Sequence, residues 1–244
     1  MPPLLSMVVP ARNESALIAR SIARLDAALA ALGVSYEIVV SDSASDDDTA
    51  AIVAALTHSG LRLVRNRLPG KGRAIASGIR QARGQYIGFI DADLEIDPSF
   101  IAPMLAALRA GADFAIGVKT LPDRQRSVLR RCATFGYNTF IRVLLDTPFS
   151  DHQAGLKLFR ADRVQALLPK IRSDGWFWDT EMLFALHRAG ARGSEIGVRT
   201  LYQRPSQVGF LRVSCELVIS SVRLRAARRH PRRAAAIAIA SVPE

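Results

Sequence analysis

Cysteine is nearly absent from this chain. Cys132 and Cys215 fit no metal-binding spacing and no disulfide framework, and they read as reduced core thiols in a reducing compartment. Lysine is scarce too. Lys71, Lys119, Lys157 and Lys170 are the full set, so arginine carries nearly all of the positive charge. No apolar run reaches the roughly 18–20 residues a membrane-crossing helix needs, and the late stretch from Ala234 to Val242 is about half that. The opening Met1-Pro-Pro-Leu-Leu-Ser lacks a basic leader region, and its apolar continuation stops at Pro10-Ala-Arg12, so a soluble or peripheral body is expected. Aromatics are few and are not interleaved with basic residues, which excludes a stacking platform for single-stranded nucleic acid. No nucleic-acid partner is expected.

The chain does have a sizeable apolar fraction, 49% of its 244 residues, and a net charge of +11. The first suits one large α/β domain or one domain with an appendage; the second favours phosphates or anionic lipid surfaces as partners. Short β-branched runs at Leu4–Pro10, Tyr36–Ser41, Leu61–Val64, Gln85–Ile90 and Phe114–Gly117 read as strands, each separated from the next by a segment of helical periodicity. Such alternation predicts a mostly parallel sheet covered on both faces, with ligands bound beyond the carboxyl ends of the strands. After Lys119 the pattern changes to a long helix over 126–145, a short strand at Leu156–Phe159, a helix over 177–189, a strand over 194–202 and an amphipathic helix over 208–229 that ends rich in arginine.

The chemistry-bearing residues gather at the predicted strand ends. Asp91-Ala92-Asp93 puts two carboxylates one residue apart at the mouth of a buried strand, where hard oxygen donors suit Mg²⁺ or Mn²⁺ bridging a diphosphate, with Glu95 as a further ligand. The competing reading is an acidic loop before the Pro98 helix, with Asp97 as its N-cap. Asp42, opening the acidic serine-rich turn to Asp48, could accept from the imide N–H of uracil or guanine, or the turn could simply cap the next helix. Pro10, Ala11 and Glu14 are either a helix entry or a cradle for base and ribose. Gly70-Lys71-Gly72 at a helix start offers N–H groups and one cation to a phosphate.

Taken together, Val9-Pro-Ala-Arg-Asn-Glu14, Asp42-Ser-Ala-Ser-x-Asp-x-Thr49, Gly70-Lys-Gly72 and Asp91-Ala-Asp-Leu94 resemble family 2 glycosyltransferases in order and spacing. Asp151-His-Gln-Ala-Gly-Leu-Lys-Leu-Phe159 and Trp176-Phe-Trp-Asp-Thr-Glu181 are similar to segments of dolichyl-phosphate glucose and mannose synthases. The resemblance spans roughly residues 4–210. It implies a GT-A (Rossmann-like) nucleotide-sugar fold and inverting transfer of a hexose from UDP-glucose or GDP-mannose to a polyprenyl or dolichyl phosphate. It also implies a divalent metal on Asp91 and Asp93, and Lys119 near the phosphates. The alternative within the family is a hydroxyl acceptor in glycolipid or polysaccharide synthesis. Ser43, Ala154 and the Arg204-Pro-Ser-Gln207 segment depart from the family pattern.

A polyprenyl phosphate is already anionic, so its attack needs a cationic pocket more than a base. Arg130, Arg131, Lys157 and Arg204 are the candidates for that pocket, while Asp179 and Glu181 are the remaining cleft carboxylates, or else acids at a helix N-terminus. Residues 1–207 read as the catalytic domain, and 208–244 as a basic helix and tail that lies on an anionic membrane surface. The expectation is a peripheral protein on the cytoplasmic face, in company with a membrane-protein partner that supplies the anchor related synthases carry as transmembrane helices.

Overall fold

The computed structural model describes residues 2–119, 128–200 and 210–229, and the side chains within them except at 128–135, 210–215 and 227–229. Arg204 and the side chains of Arg130, Arg131, Cys132 and Cys215 lie outside that description.

Among the described residues, seven strands form one sheet: β1 (Leu5–Ala11), β2 (Tyr36–Ser43), β3 (Leu61–Asn66), β4 (Tyr86–Ile90), β5 (Phe114–Lys119), β6 (Leu156–Arg160) and β7 (Gly193–Val198), in spatial order β3-β2-β1-β4-β6-β5-β7. β1 pairs parallel with β2 and β4, and β2 with β3; β5 pairs parallel with β7. Only β6 runs the other way, inserted antiparallel between β4 and β5. The expected mostly parallel α/β sheet is therefore present. The one reversal could not be read from a five-residue strand, because direction depends on where the chain re-enters the sheet.

Side-chain alternation along the strands divides the core in two. Leu5, Met7 and Val9 of β1 with Ile38 and Val40 of β2 face α1 (Ile18–Ala30) and α4 (Ile101–Arg109). Val8, Val39, Ile87 and Phe89 face α3 (Lys71–Gln81), α6 (Ala161–Leu167) and α7 (Trp178–Arg188). α1 buries Ile18, Ile22, Leu25 and Leu29, the i, i+4, i+7, i+11 stripe of an amphipathic helix. It starts three residues later than its Asn13-Glu14-Ser15 entry suggests, and no side chain caps it. Those residues bond instead across to the loop that leads into α2 (Thr49–Ala55). Asp97 does act as an N-cap: its carboxylate accepts from Ser99 N at 2.9 Å and opens the turn into α4.

The remaining helices, α5 (Val128–Leu145) and α8 (Phe210–Arg229), pack on each other beside α7. Leu217 and Ser221 of α8 are buried and Leu224 joins Ile141, Leu145 and Phe184, whereas Val218, Ile219 and Val222 stay exposed. α8, the helix expected to lie on a membrane surface, is thus docked on the body through Leu217 and Leu224. Among the described residues, no helix is long and apolar enough to cross a membrane.

α3 lies so close to β1 that a Cβ at Gly78 would sit 2.3 Å from Val8 Cγ1, in the sheet's core. Helix propensity alone would make Gly78→Ala stabilising by about 1 kcal/mol. Overpacking against a stiff, fully buried valine should reverse the sign, giving a loss of about 1–3 kcal/mol in urea unfolding. Equal or greater stability of the variant would show that the α3–β1 contact is looser than this.

Candidate active site

The carboxyl ends of β1, β2 and β4 form the site. At the first two, the loops after Ala11 and Ser43 are laced together: Asn13 N donates to Ser45 Oγ (3.0 Å), Asp46 N to Asn13 Oδ1 (2.9 Å), Glu14 N to Thr49 Oγ1 (2.7 Å) and Ser15 N to Asp47 (3.1 Å). Asn13 and Ala44 hold left-handed backbone, φ 55° and 53°, at the corners of this lacing. Ala11 and Asp42 are register partners on adjacent strands, with Pro10 opposite Ser41. Asp42 is buried and accepts from Ser45 Oγ (2.5 Å) and Ser45 N (3.3 Å), bonds that close the turn on itself; α2 has no side-chain cap at Asp48, so the turn does not serve as the helix cap that was the competing reading.

At the third strand end, Asp91 follows β4 directly. Its backbone N–H donates to Gly155 O (3.0 Å), and a Cβ at position 155 would stand 2.4 Å from Asp91 Oδ2. Only glycine leaves room for that carboxylate, the close approach that a glycine at a strand end often marks. Lys71 Nζ grips Asp91 at 2.8 Å (Oδ1) and 3.0 Å (Oδ2), and rests 4.7 Å from the centre of the Trp176 ring. Burial would lower the Lys71 pKa, but the charges of Asp91, Asp179 and Asp93 outweigh it and the net shift is upward. Asp93 is raised, first by its own burial and then by the charge of Asp91 beside it.

The expectation of an open phosphate cradle at Gly70-Lys71-Gly72 is not met by the backbone. Gly70 N donates to Ser43 Oγ (2.9 Å), Gly72 N to Gly175 O (3.1 Å) and Arg73 N to Asp174 O (3.0 Å). The α3 N-terminus is spent on holding the loop before α7, which leaves the Lys71 side chain as the group that can face a phosphate.

Among the described residues, no three His, Cys, Asp or Glu side chains converge as a ready-made metal cage. Glu95, the third expected ligand, has Lys119 Nζ at 2.8 Å, and its backbone N–H donates to Asp93 Oδ1 (3.1 Å). The charge of Asp91 raises the cost of ionising Asp93, and two hard carboxylates so placed invite a shared cation. That donor set fits an oxygen-seeking divalent ion whose other ligands are water and phosphate.

β6 and α7 complete the floor. Lys157 is fully buried; its ammonium donates to Asp179 Oδ1 (2.5 Å) and Ala154 O (2.6 Å) and lies 5.2 Å from the Phe89 ring centre. It sits under the cleft, tied to Asp179, and is not open to an acceptor phosphate as expected. Asp179 is 1% exposed and its second oxygen, Oδ2, has no partner among the described residues. Glu181 is not presented to the cleft either: its carboxylate accepts from Arg172 N (3.2 Å) and Ser173 N (2.9 Å) and so anchors that loop. Thr180 Oγ1 meets both Tyr137 OH (2.9 Å) and Gln153 Nε2 (3.0 Å), joining α5, the 151–155 segment and α7.

Three contributors went unread in the sequence: Trp176 as the seat of Lys71, Gly155 as the gap for Asp91, and Glu216. The last accepts from Trp176 N (3.2 Å) and ties α8 to the loop before α7. Its signal was visible, since Glu216 is the one acidic residue between Val208 and Arg229.

His152, fully buried, bonds Thr147 Oγ1 through Nε2 (2.9 Å), while Nδ1 has no partner among the described residues. Burial, then the charges of Lys157 and Arg142, push its pKa from 6.5 down to about 3. The unfolded chain therefore takes up a proton that the fold refuses. Stability should be lost as pH falls below about 6.5, reaching roughly 2 kcal/mol from this group at pH 5. His152→Gln should flatten the stability–pH curve between pH 6.5 and 5 in urea titrations; an unchanged slope would refute the assignment.

Comparison with known proteins matches residues 6–168 to Glycosyl transferase family 2. Glycosyltransferase AglD of Haloferax volcanii is 32% identical over 79% of this chain, which spans only 32% of that protein's length. Dolichyl-phosphate beta-glucosyltransferase of Dictyostelium discoideum is 27% identical, covering 91% of this chain and 73% of that one. Undecaprenyl-phosphate 4-deoxy-4-formamido-L-arabinose transferase of Klebsiella pneumoniae is 32% identical over 67% of this chain and 50% of its own length. Among solved structures, glucosyl-3-phosphoglycerate synthase of Mycobacterium tuberculosis, in complex with Mn²⁺, UDP and phosphoglyceric acid, superposes with a TM-score of 0.71 at 21% identity. That match covers 91% of this chain and 78% of that one. The fold is the GT-A architecture.

Proposed function

The chain belongs to glycosyl transferase family 2, and we propose that it transfers a hexose from a nucleotide-sugar to a polyprenyl phosphate, inverting the anomeric carbon. The observation that carries this reading is the state of the cleft carboxylates. Asp179 is enclosed and bonded to Lys157, and Glu181 is occupied by backbone N–H groups, so neither is poised to take a proton from an acceptor hydroxyl. An acceptor that arrives ionised needs no such base. The similarity to proteins named for dolichyl- and undecaprenyl-phosphate supports the same acceptor class.

In this reading, an acceptor phosphate oxygen forms the new bond to the anomeric carbon as the bond from that carbon to the donor diphosphate breaks, and the negative charge stays on the departing nucleotide. Asp91 and Asp93 are the residues that would hold Mg²⁺ or Mn²⁺, which would supply charge neutralisation to that diphosphate. Lys71 and Lys119 add cations on the same side, and the laced loops carrying Pro10, Ala11, Glu14 and Asp42 form the wall for base and ribose. Arg130 and Arg131, at the start of α5, and Arg204 remain the proposed acceptor-phosphate cations.

Asp91→Asn should lower transfer by at least about 100-fold. Asp179→Asn should slow it with the shape of the pH–rate profile retained, because that shape belongs to the acceptor phosphate. Loss of an ionisation from the Asp179→Asn profile would instead establish Asp179 as a base for a hydroxyl acceptor.

We also infer that the protein works at the cytoplasmic face of a membrane, touching it through the exposed Val218, Ile219 and Val222 of α8 with Arg223 and Arg225 alongside. Each arginine near an anionic leaflet contributes about 1 kcal/mol. Binding to phosphatidylglycerol vesicles should weaken with salt and in the Val218→Ser, Ile219→Ser, Val222→Ser triple variant. Equal sedimentation of variant and wild type, or indifference to lipid charge, would eliminate this contact. A membrane-protein partner carrying the anchor is a compatible arrangement.

A further inference from the structure

Lys71 is more firmly placed than a surface ion pair. Its ammonium engages both oxygens of Asp91, its side chain is only 12% exposed, and Trp176 closes one side of it. An exposed pair is worth at most about 1 kcal/mol, whereas an enclosed one gains from the lower local dielectric. Asp91 cannot turn away to meet another cation on the β6 side, because the Gly155 backbone lies against its Oδ2. Asp179 adds its charge to the pull on Lys71 and carries one buried oxygen without a partner among the described residues.

We propose that Lys71 is a resident counter-ion that competes with the divalent cation for Asp91, so that metal alone is held weakly until a nucleotide diphosphate draws the ammonium off. This rests on the reading of Asp91 and Asp93 as the metal carboxylates. It goes further in making metal and donor mutually dependent through one side chain. The lysine keeps Asp91 paired between turnovers, and surrenders it only when a second polyanion is present.

The test is Mn²⁺ binding to the full chain by calorimetry or electron paramagnetic resonance, without and then with UDP. Without nucleotide, Lys71→Met and Lys71→Gln should bind Mn²⁺ about tenfold or more tightly than wild type, by removing the competing charge. The glutamine variant keeps a polar end should the methionine variant fail to fold. Lys71→Arg should remain weak. Arg73→Gln, which removes the same charge two residues away from a partner on Asp174, should change affinity less than about twofold. The enhancement of Mn²⁺ binding by UDP should shrink in both neutral variants at position 71. Unchanged or weaker Mn²⁺ binding in those variants, or equal tightening in Arg73→Gln, overturns the proposal. Asp91→Asn separates the two levels: if it binds Mn²⁺ with UDP as wild type does, the metal assignment itself is wrong. If it loses binding while the lysine variants are unaltered, only the counter-ion role falls.

Discussion

Mutual repulsion among carboxylates is the constraint around which this cleft is built. Asp91, Asp93 and Glu95 fall within five residues, and Asp179 approaches from α7. Each strand that could present a ligand to a phosphate-bound cation also concentrates negative charge where water is partly excluded. Three of the four lysines answer this: Lys71 on Asp91, Lys119 on Glu95, Lys157 on Asp179. Lysine suits the task because its compact ammonium is satisfied by a carboxylate and a carbonyl, whereas a buried guanidinium would bring five donors to be matched. The buried Lys157–Asp179 pair is better understood as fixing geometry than as adding stability, since the cost of removing two charges from water offsets most of their attraction.

The sheet delivers these groups to one edge. β1, β2 and β4 run in the same direction and end there, while β6 runs oppositely, so its beginning, not its end, lies beside the mouth of β4. That single reversal brings Gly155 against Asp91 and Lys157 beneath it. A parallel β6 would have placed the other end of that strand at the same spot.

Much of this is legible in the sequence. The buried strands announce themselves by β-branched runs, and the acidic and glycine clusters fall at their ends because a parallel sheet leaves nowhere else for them. What the residues alone did not disclose is which polar groups are already spoken for. Gly70-Lys71-Gly72 has the look of an anion cradle, yet the Gly70 N–H is taken by the Ser43 hydroxyl, and the N–H groups of Gly72 and Arg73 by carbonyls about a hundred residues later in the chain. Lys157 and Glu181 look like ligand-facing charges until burial and backbone partners are seen. Such assignments depend on long-range packing, which local pattern does not encode.

The spacing of the lysine pairs bears on how the chain is made. Lys71 precedes Asp91 by 20 residues, Lys119 follows Glu95 by 24, and Lys157 precedes Asp179 by 22. Each of these three carboxylates therefore has its counter-charge within its own stretch of a nascent polypeptide. Lys71–Asp91 and Lys119–Glu95 both lie in the stretch that carries β1 to β5, so neither pair has to wait for β6 and α7 to be synthesised.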